Sequence, residues 1–305
     1  MTEHQKPSSY RPLFSTLSPN QGAEMLRYGW TKPNIISLAQ GEGSLKTPDF
    51  ISDAAAQALK DGRTFYNSSL GTTELRQEIS NYYSHIYNLQ IPTNRIYATS
   101  SGTTAMHLAM NSILEEGDEI VAITPIWKNL LGLIELTQAK TVQVALDHID
   151  GKGWTLDINK LFDAVTSRTK AFLIVTPSNP TGWTMRAEEI KLVMDYARER
   201  GIWIISDEVY ARTMYGVKRS PSFLDYADAD DRLFVVNSFS KYYCMTGWRI
   251  GWLVLPEDLV RPVERLQQSL AISVPFLSQV AAEAAFDARD ELEVVKAGYA
   301  RNRAA

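Results

Sequence analysis

The chain has 305 residues, 45% of them hydrophobic and 22% charged, and a formal net charge of −4. A chain of that length and composition buries a substantial core as one large domain with a second piece, which excludes disordered, collagen-like and small disulfide-stapled classes. Thirty-one Lys and Arg against 35 Asp and Glu leave no basic block to follow a phosphate backbone, so nucleic acid is not an expected partner. The single cysteine, Cys244, cannot form an internal disulfide, and the start from Met1 to Pro7 is polar. With no run near the ~18 apolar residues of a membrane span, a cytoplasmic protein without a membrane partner is expected.

In chain order, the Pro-rich segment before Ile35 reads as an arm lying over a surface. From about Pro48 to Pro256, helical patterns alternate with short apolar runs bounded by Gly, Pro, Asn or Asp. The runs are Ile96 to Thr99, Glu119 to Thr124, Thr141 to Leu146, Ala171 to Thr176, Ile202 to Ser206, Leu233 to Asn237 and Gly251 to Leu255. Several are almost continuously apolar, as strands covered on both faces must be, and the alternation predicts an α/β fold with one mainly parallel central sheet. Gly102 to Glu115 and Arg186 to Arg200 read as covering helices, the second with Ile190, Val193, Met194 and Ala197 on one stripe. After Pro256 the pattern is helical through Glu257 to Ile272 and again from Leu277 to the end, where no Gly or Pro marks a stop.

Several motif classes are absent. The pairs Gly41/Gly43 and Gly151/Gly153 lack the third glycine of a dinucleotide fingerprint, with Lys46 and Leu156 in its place. No phosphate loop of the Gly-x-x-x-x-Gly-Lys type, no nucleophile elbow and no His-Glu-x-x-His occurs. His4, His85, His107 and His148 have no ligand spacing, so surface or packing roles are expected and no metal.

Four segments at strand ends carry chemistry, because ligands of an open parallel sheet sit beyond the carboxyl ends of its strands. Thr99 to Ala105 passes from a strand through Ser101, Gly102 and Thr103 into a helix, where free N–H groups and the helix dipole meet anions. Alone, that is also an ordinary N-cap. Val175 to Gly182 holds Asn179 in a Pro- and Gly-rich turn, and Ile204 to Tyr210 delivers Asp207 and, three residues on, the Tyr210 phenol. Val236 to Lys241 sets a lysine among hydroxyls and aromatics, where partial burial favours the neutral, nucleophilic amine, and Met245 to Arg249 follows. A phosphate cradle, a carboxylate, an amide, a phenol, a lysine and an arginine together match what pyridoxal 5'-phosphate requires.

Here the sequence resembles the class I/II aminotransferases of PLP fold type I, through Ser-Asn-Pro-Thr-Gly at 178–182, Ser-Asp-Glu-Val-Tyr at 206–210, Ser-Phe-Ser-Lys at 238–241 and Met-Thr-Gly-Trp-Arg at 245–249. The resemblance implies that Lys241 is the Schiff-base lysine and proton shuttle, that Asp207 pairs with the pyridine nitrogen, and that Tyr210 and Asn179 bond the ring hydroxyl oxygen. Ser101, Gly102, Thr103, Ser238 and Arg249 would hold the phosphate, with the planar Arg fork suited to it. Trp127 falls where the family stacks an aromatic on the ring, and Tyr66 resembles the tyrosine that reaches the partner subunit's phosphate, which implies a homodimer. Gly41 and Asn179 would contact the substrate carboxylate. The implied division is an N-terminal arm and small-domain segment (1–47), a PLP-binding large domain (48–272) and the start of an incomplete small domain (273–305).

The implied reaction is transfer of an amino group from an amino acid to a 2-oxo acid. A carbon–sulfur lyase of the same fold and a PLP-binding remnant without turnover are the alternatives. Two departures qualify the resemblance. The loop from Leu38 to Pro48 lacks the Pro that many relatives carry after the first Gly. Family members also run roughly ninety residues further and carry there the arginine that grips the substrate carboxylate. Apolar surface on the helices after Pro256 is therefore expected to face water and promote association, with a weakened grip on amino-acid carboxylates; a monodisperse dimer with ordinary donor affinity would instead require another carboxylate ligand, Arg27 or Arg212.

Overall fold

The apolar runs form one seven-stranded sheet in the computed structural model, which describes residues 12–36, 38, 41–288 and 290–304. The first part of the expected arm, and Ala39 and Gln40 of the loop before Pro48, lie outside the described residues. The strands are β1 (Ile96–Thr99), β2 (Glu119–Thr124), β3 (Lys140–Ala145), β4 (Asp147–Ile149), β5 (Gly153–Thr155), β6 (Thr169–Val175), β7 (Trp203–Asp207), β8 (Leu233–Ser238) and β9 (Gly251–Val254). The large sheet has the order β1-β9-β8-β7-β6-β2-β3, and every neighbouring pair is parallel except the two that β9 makes. The predicted strand ends shift by at most two residues. The small β4–β5 hairpin was not anticipated: its turn runs over Asp150 to Lys152 with Gly151 at positive φ, and Gly153, also at positive φ, opens β5, in a stretch whose alternation is too short to read as strand.

The helices are α1 (Leu13–Thr16), α2 (Gln21–Trp30), α3 (Asp49–Lys60), α4 (Thr73–Tyr82), α5 (Gly102–Ile113), α6 (Lys128–Thr137), α7 (Ile158–Asp163), α8 (Ala187–Arg200), α9 (Glu257–Ala271), α10 (Phe276–Ala285) and α11 (Asp290–Ala304). Successive side chains of a strand point to opposite faces, and β6 shows what that does here. Phe172 and Ile174 pack with Ile190, Val193, Met194 and Ala197 of α8 on one face, while Ala171, Leu173 and Val175 join the core of α5, α6 and α9 on the other. Both faces are covered, which is why the run reads as continuously apolar.

The described part of the arm lies on the surface. The Ser18 N–H donates to Glu135 Oε2 at 2.9 Å and Asn20 Nδ2 donates to Asn129 Oδ1 at 2.6 Å, which ties it to α6, and no residue of α2 is buried. The second helical stretch predicted from Leu277 to the end is instead two helices. It breaks where the Phe286 ring turns into an aromatic cluster with Phe239, Tyr82 and Tyr243, at centroid distances of 5.2, 5.6 and 5.6 Å. Most apolar side chains after Pro256 are also covered, since Val260 and Val263 of α9 and Val280 to Ala282 of α10 are buried. Among the described residues of that region the large apolar side chains facing water are Leu270, Ile272 and Val294. No described helix is long and apolar enough to cross a membrane.

The order of strands places chemistry at one edge. A parallel neighbour needs a crossover, whereas antiparallel neighbours are joined at one end of the sheet. Residues 239–250 link antiparallel β8 and β9, so this connection stays at the carboxyl end of β8, beside the carboxyl ends of β1, β7, β6 and β2. Lys241 and Arg249 both ride on it.

The two-sided core carries a direct expectation. Phe172→Ala, at a fully buried site between Val121 and Ile204, costs about 3–5 kcal/mol of unfolding free energy in urea titrations. Leu192→Ala on the solvent side of α8, where Leu192 is 52% exposed, costs under about 0.5 kcal/mol.

Candidate active site

Gly251 is the geometric centre of the edge. In register it lies between Thr99 of β1 and Ser238 of β8. A Cβ there would stand 2.7 Å from Asn237 O, 2.8 Å from Gly102 N and 2.9 Å from Ser101 C, all backbone atoms that cannot swing away. Only glycine lets the three strand ends close. That closure brings Ser238 to the N-terminus of α5, where a Cβ on Gly102 would be 3.3 Å from Ser238 Cβ. Ser101 caps α5 through Oγ, which accepts the Thr104 N–H at 3.1 Å, and takes the unusual φ of 130° that turns the chain into the helix. Thr103 sits in the first turn, with its own N–H among the unbonded donors of a helix start. Arg249, at φ 51°, holds Nη1 on Thr246 O at 2.8 Å and has no carboxylate partner among the described residues.

Beside this cradle lies a cleft of about 820 Å³ lined by Lys241, Tyr210, Ser178, Gly41 and the 213–215 turn. Lys241 Nζ donates to Gly41 O at 2.5 Å and stands 5.7 Å from the centre of the Tyr210 ring. Burial lowers the pKa of the Lys241 ammonium, Arg249 lowers it further, and Glu42 and Asp207 oppose both. Asn179 Nδ2 donates to the Tyr210 hydroxyl at 3.4 Å. Asp207, at the end of β7, is buried, and Oδ1 accepts the Val209 N–H at 3.2 Å. Burial pushes its carboxyl up to about 6, against the pull of that N–H and of the Lys241 charge.

The sequence-predicted residues therefore fall into three groups. Lys241, Tyr210 and Gly41 line the cleft, with Asn179 bonded to the Tyr210 hydroxyl and Asp207 buried at the end of β7, where it feels the Lys241 charge; Ser101, Gly102, Thr103 and Ser238 gather at the start of α5, with Arg249 two residues before Gly251. Trp127 caps α6 just beyond β2, 39% exposed, and Tyr66 is 83% exposed on the surface; neither makes a ring or hydrogen-bond contact with Lys241 or Asp207. Arg27 and Arg212, the fallback carboxylate ligands, are elsewhere. Arg27 pairs with Glu24 on exposed α2, while Arg212 is committed to the Tyr242 hydroxyl at 2.8 Å and to Glu293 in a separate hollow of about 890 Å³.

Other residues of the site were not singled out from sequence. Glu42 accepts from Thr246 Oγ1 at 2.9 Å, and Thr47 Oγ1 donates to Cys244 O at 2.6 Å while accepting the Trp248 indole N–H, so the 41–47 loop is tied to the lysine segment. Glu208 follows Asp207 but is wholly buried on the far side of β7, with Oε1 accepting from Ser206 Oγ and the Phe223 N–H, both at 3.1 Å. Burial pushes it up to about 7, against those donors. Strand alternation was the available signal, since adjacent carboxylates at a strand end face opposite sides.

This edge fits a group with an anionic tail and a cationic ring. A buried carboxylate without an ion pair needs a positive partner, and Asp207 has none within the described residues; the protonated nitrogen of a pyridine supplies one. The free N–H groups at Ser101 to Thr103 and the unpaired Arg249 suit a phosphate. No described cluster of three or more His, Cys, Asp or Glu has the arrangement of a metal site.

Fold and site thus describe an α/β protein shaped to hold a phosphorylated, ring-nitrogen cofactor beside a lysine. The chain belongs to the aminotransferase class I and II family, which it matches over residues 33–304 and which depends on pyridoxal phosphate. It is 34% identical over 250 residues to a probable aspartate/prephenate aminotransferase of Aquifex aeolicus, covering 82% of this chain and 63% of that protein. It is also 32% identical over 267 residues to a probable aspartate aminotransferase of Methanocaldococcus jannaschii, covering 88% and 65%. The chain spans just under two thirds of the length of these curated relatives. Among solved structures, an aspartate aminotransferase of Thermotoga maritima matches with a TM-score of 0.84 at 27% identity, over 94% of this chain and 76% of that one.

Glu208 gives a pH test. Its pKa in the folded protein, about 7, lies above its ordinary 4.5, so the unfolded chain releases its proton first and stability falls as pH rises between those values. Glu208→Gln removes that share of the fall: in urea titrations the variant gains on the parent by on the order of a few kcal/mol between pH 4.5 and 8. A parallel pair of stability curves across this window contradicts the assignment.

Proposed function

We propose that the protein is a pyridoxal-phosphate-dependent aminotransferase that moves an amino group from an amino acid to a 2-oxo acid. The observation that carries this reading is that Lys241 and Tyr210 line one cleft, with Asn179 bonded to the Tyr210 hydroxyl and the buried Asp207 close enough to feel the Lys241 charge. When bound, pyridoxal phosphate supplies an electron sink that stabilises negative charge at the substrate carbon.

The chain's own residues do the rest. Lys241 anchors the cofactor through Nζ and, once released, takes and returns the proton at the substrate carbon; burial lowers the pKa of its ammonium, the direction both tasks need. Asp207 holds the ring nitrogen protonated, and the Tyr210–Asn179 pair orients the ring through its hydroxyl oxygen. Ser101, Gly102, Thr103, Ser238 and Arg249 bind the phosphate, and Trp127 packs over the ring from the end of β2. Gly41, released from Lys241, and Asn179 meet the substrate carboxylate. Tyr66, exposed on this chain, reaches the cradle of a second copy, so the active unit is a homodimer. A cytoplasmic location accords with the single cysteine. The relatives named above are aminotransferases, which supports the reaction, and their being aspartate or aspartate/prephenate aminotransferases points to an acidic donor.

Single-turnover mixing of the PLP-loaded protein with L-aspartate, followed by visible absorbance, tests the reading. The parent converts its absorbance to that of the amino form of the cofactor and releases oxaloacetate. Lys241→Ala loses the lysine-bound absorbance band and slows conversion by about 10²–10⁴-fold, since anchor and proton carrier disappear together. Pyruvate and ammonia formed from a cysteine conjugate, with no conversion by aspartate, would mark a lyase instead.

A further inference from the structure

The connection between α3 and α4 carries Phe65 and Tyr66, which are 82% and 83% exposed. On either side of this exposed pair the chain is tied to the region where α10 begins. Before it, the Arg63 guanidinium lies over the Phe276 ring, 4.7 Å from the centroid. After it, Asn67 Nδ2 donates to Val274 O at 3.1 Å, and Asn67 Oδ1 accepts from Gln279 Nε2 at 2.8 Å.

Gln279 is wholly buried on α10, and both polar atoms of its amide are engaged. Nε2 donates to Asn67 Oδ1 and also to Val274 O at 3.0 Å, which uses its two hydrogens, and Oε1 accepts the Thr72 N–H at 2.7 Å. The path of the loop past this amide is narrow. At Gly71, where φ is 94°, a Cβ would stand 2.5 Å from Ala98 Cβ and 3.2 Å from Gln279 Oε1, and Leu70 O accepts the Ala98 N–H at 3.0 Å. An apolar side chain at position 279 would leave the Thr72 N–H and Asn67 Oδ1 without these partners.

Two routes lead from Gln279 toward a phosphate cradle. One runs within the chain, through Leu70 and Ala98 to Thr99 and Ser101. That route is already fixed by the pairing of β1 with β9 and by the closure at Gly251. The other runs through Asn67 to Tyr66, its exposed neighbour. We infer that Gln279 is a positioning residue that, by clamping Asn67, sets Tyr66 for the cradle of a second copy of this chain. The inference rests on the reading above in which Tyr66 completes that cradle.

Hybrid dimers assembled from two tagged copies test this. One copy carries Lys241→Ala, so the lysine-bound absorbance reports only the site of the other copy, and that site takes its Tyr66 from the Lys241→Ala copy. PLP is titrated at that absorbance with Gln279→Met placed on one copy or the other. On the Lys241→Ala copy, Gln279→Met raises the PLP Kd about 5- to 30-fold, Tyr66→Phe does the same, and the two together do no more than either alone. On the copy that keeps Lys241, Gln279→Met leaves the Kd unchanged. Asn67→Ala keeps the Thr72 bond, follows the same pattern and decides the matter if Gln279→Met does not fold. Equal weakening in both placements, weakening confined to the copy that keeps Lys241, or effects that add to that of Tyr66→Phe overturns the inference alone. A protein that takes up no PLP, stays a single chain, or holds PLP equally well with Tyr66→Phe overturns the reading beneath it and the inference with it.

Discussion

The site depends on the absence of a side chain at Gly251. Strands β1, β9 and β8 run side by side with Thr99, Gly251 and Ser238 at matching positions, and the backbone of the Ser101–Gly102 turn rests where a Cβ would stand. A larger residue would separate the start of α5 from Ser238, and with it the helix N–H groups from the loop that carries Lys241 and Arg249. The reversed direction of β9 matters equally. It keeps the β8–β9 connection at the edge where the parallel strands end, so a lysine and an arginine eight residues apart stay at that edge.

Electrostatics then separate the roles of similar groups. Asp207 and Glu208 are consecutive and both buried, and burial raises both. Asp207 faces the site with a single backbone donor and the nearby Lys241 charge, which leaves room for a cationic ring. Glu208 points away into a set of hydroxyl and backbone donors that anchor the 220–226 turn, a scaffolding role beneath the loop of Tyr210. Lys241 is lowered chiefly by burial, the direction an amine needs if it is to act as nucleophile and base.

Much of this was legible in the sequence, for identifiable reasons. Strands such as β2 and β6 are apolar throughout because helices cover both faces, so their runs stand out from any loop. Lys241, Asp207, Asn179 and Tyr210 lie at strand ends, where polar residues are conspicuous after an apolar run. The break at Phe286 was not legible, because the sequence on both sides of it favours helix and the Phe286 ring packs on distant Phe239 and Tyr82. Nor was the place of Arg212, whose partner Tyr242 is thirty residues away. The contact of Arg303 with Tyr215 was not legible either, since the two belong to distant elements.

The central claim is that the edge around Gly251 holds pyridoxal phosphate at one particular lysine. Borohydride reduction of the PLP-loaded protein, followed by proteolysis and mass mapping, tests it directly by fixing the cofactor to whichever amine holds it. The account predicts one phosphopyridoxyl group per chain, on Lys241. A label on another lysine, scattered over surface lysines, or absent would contradict it.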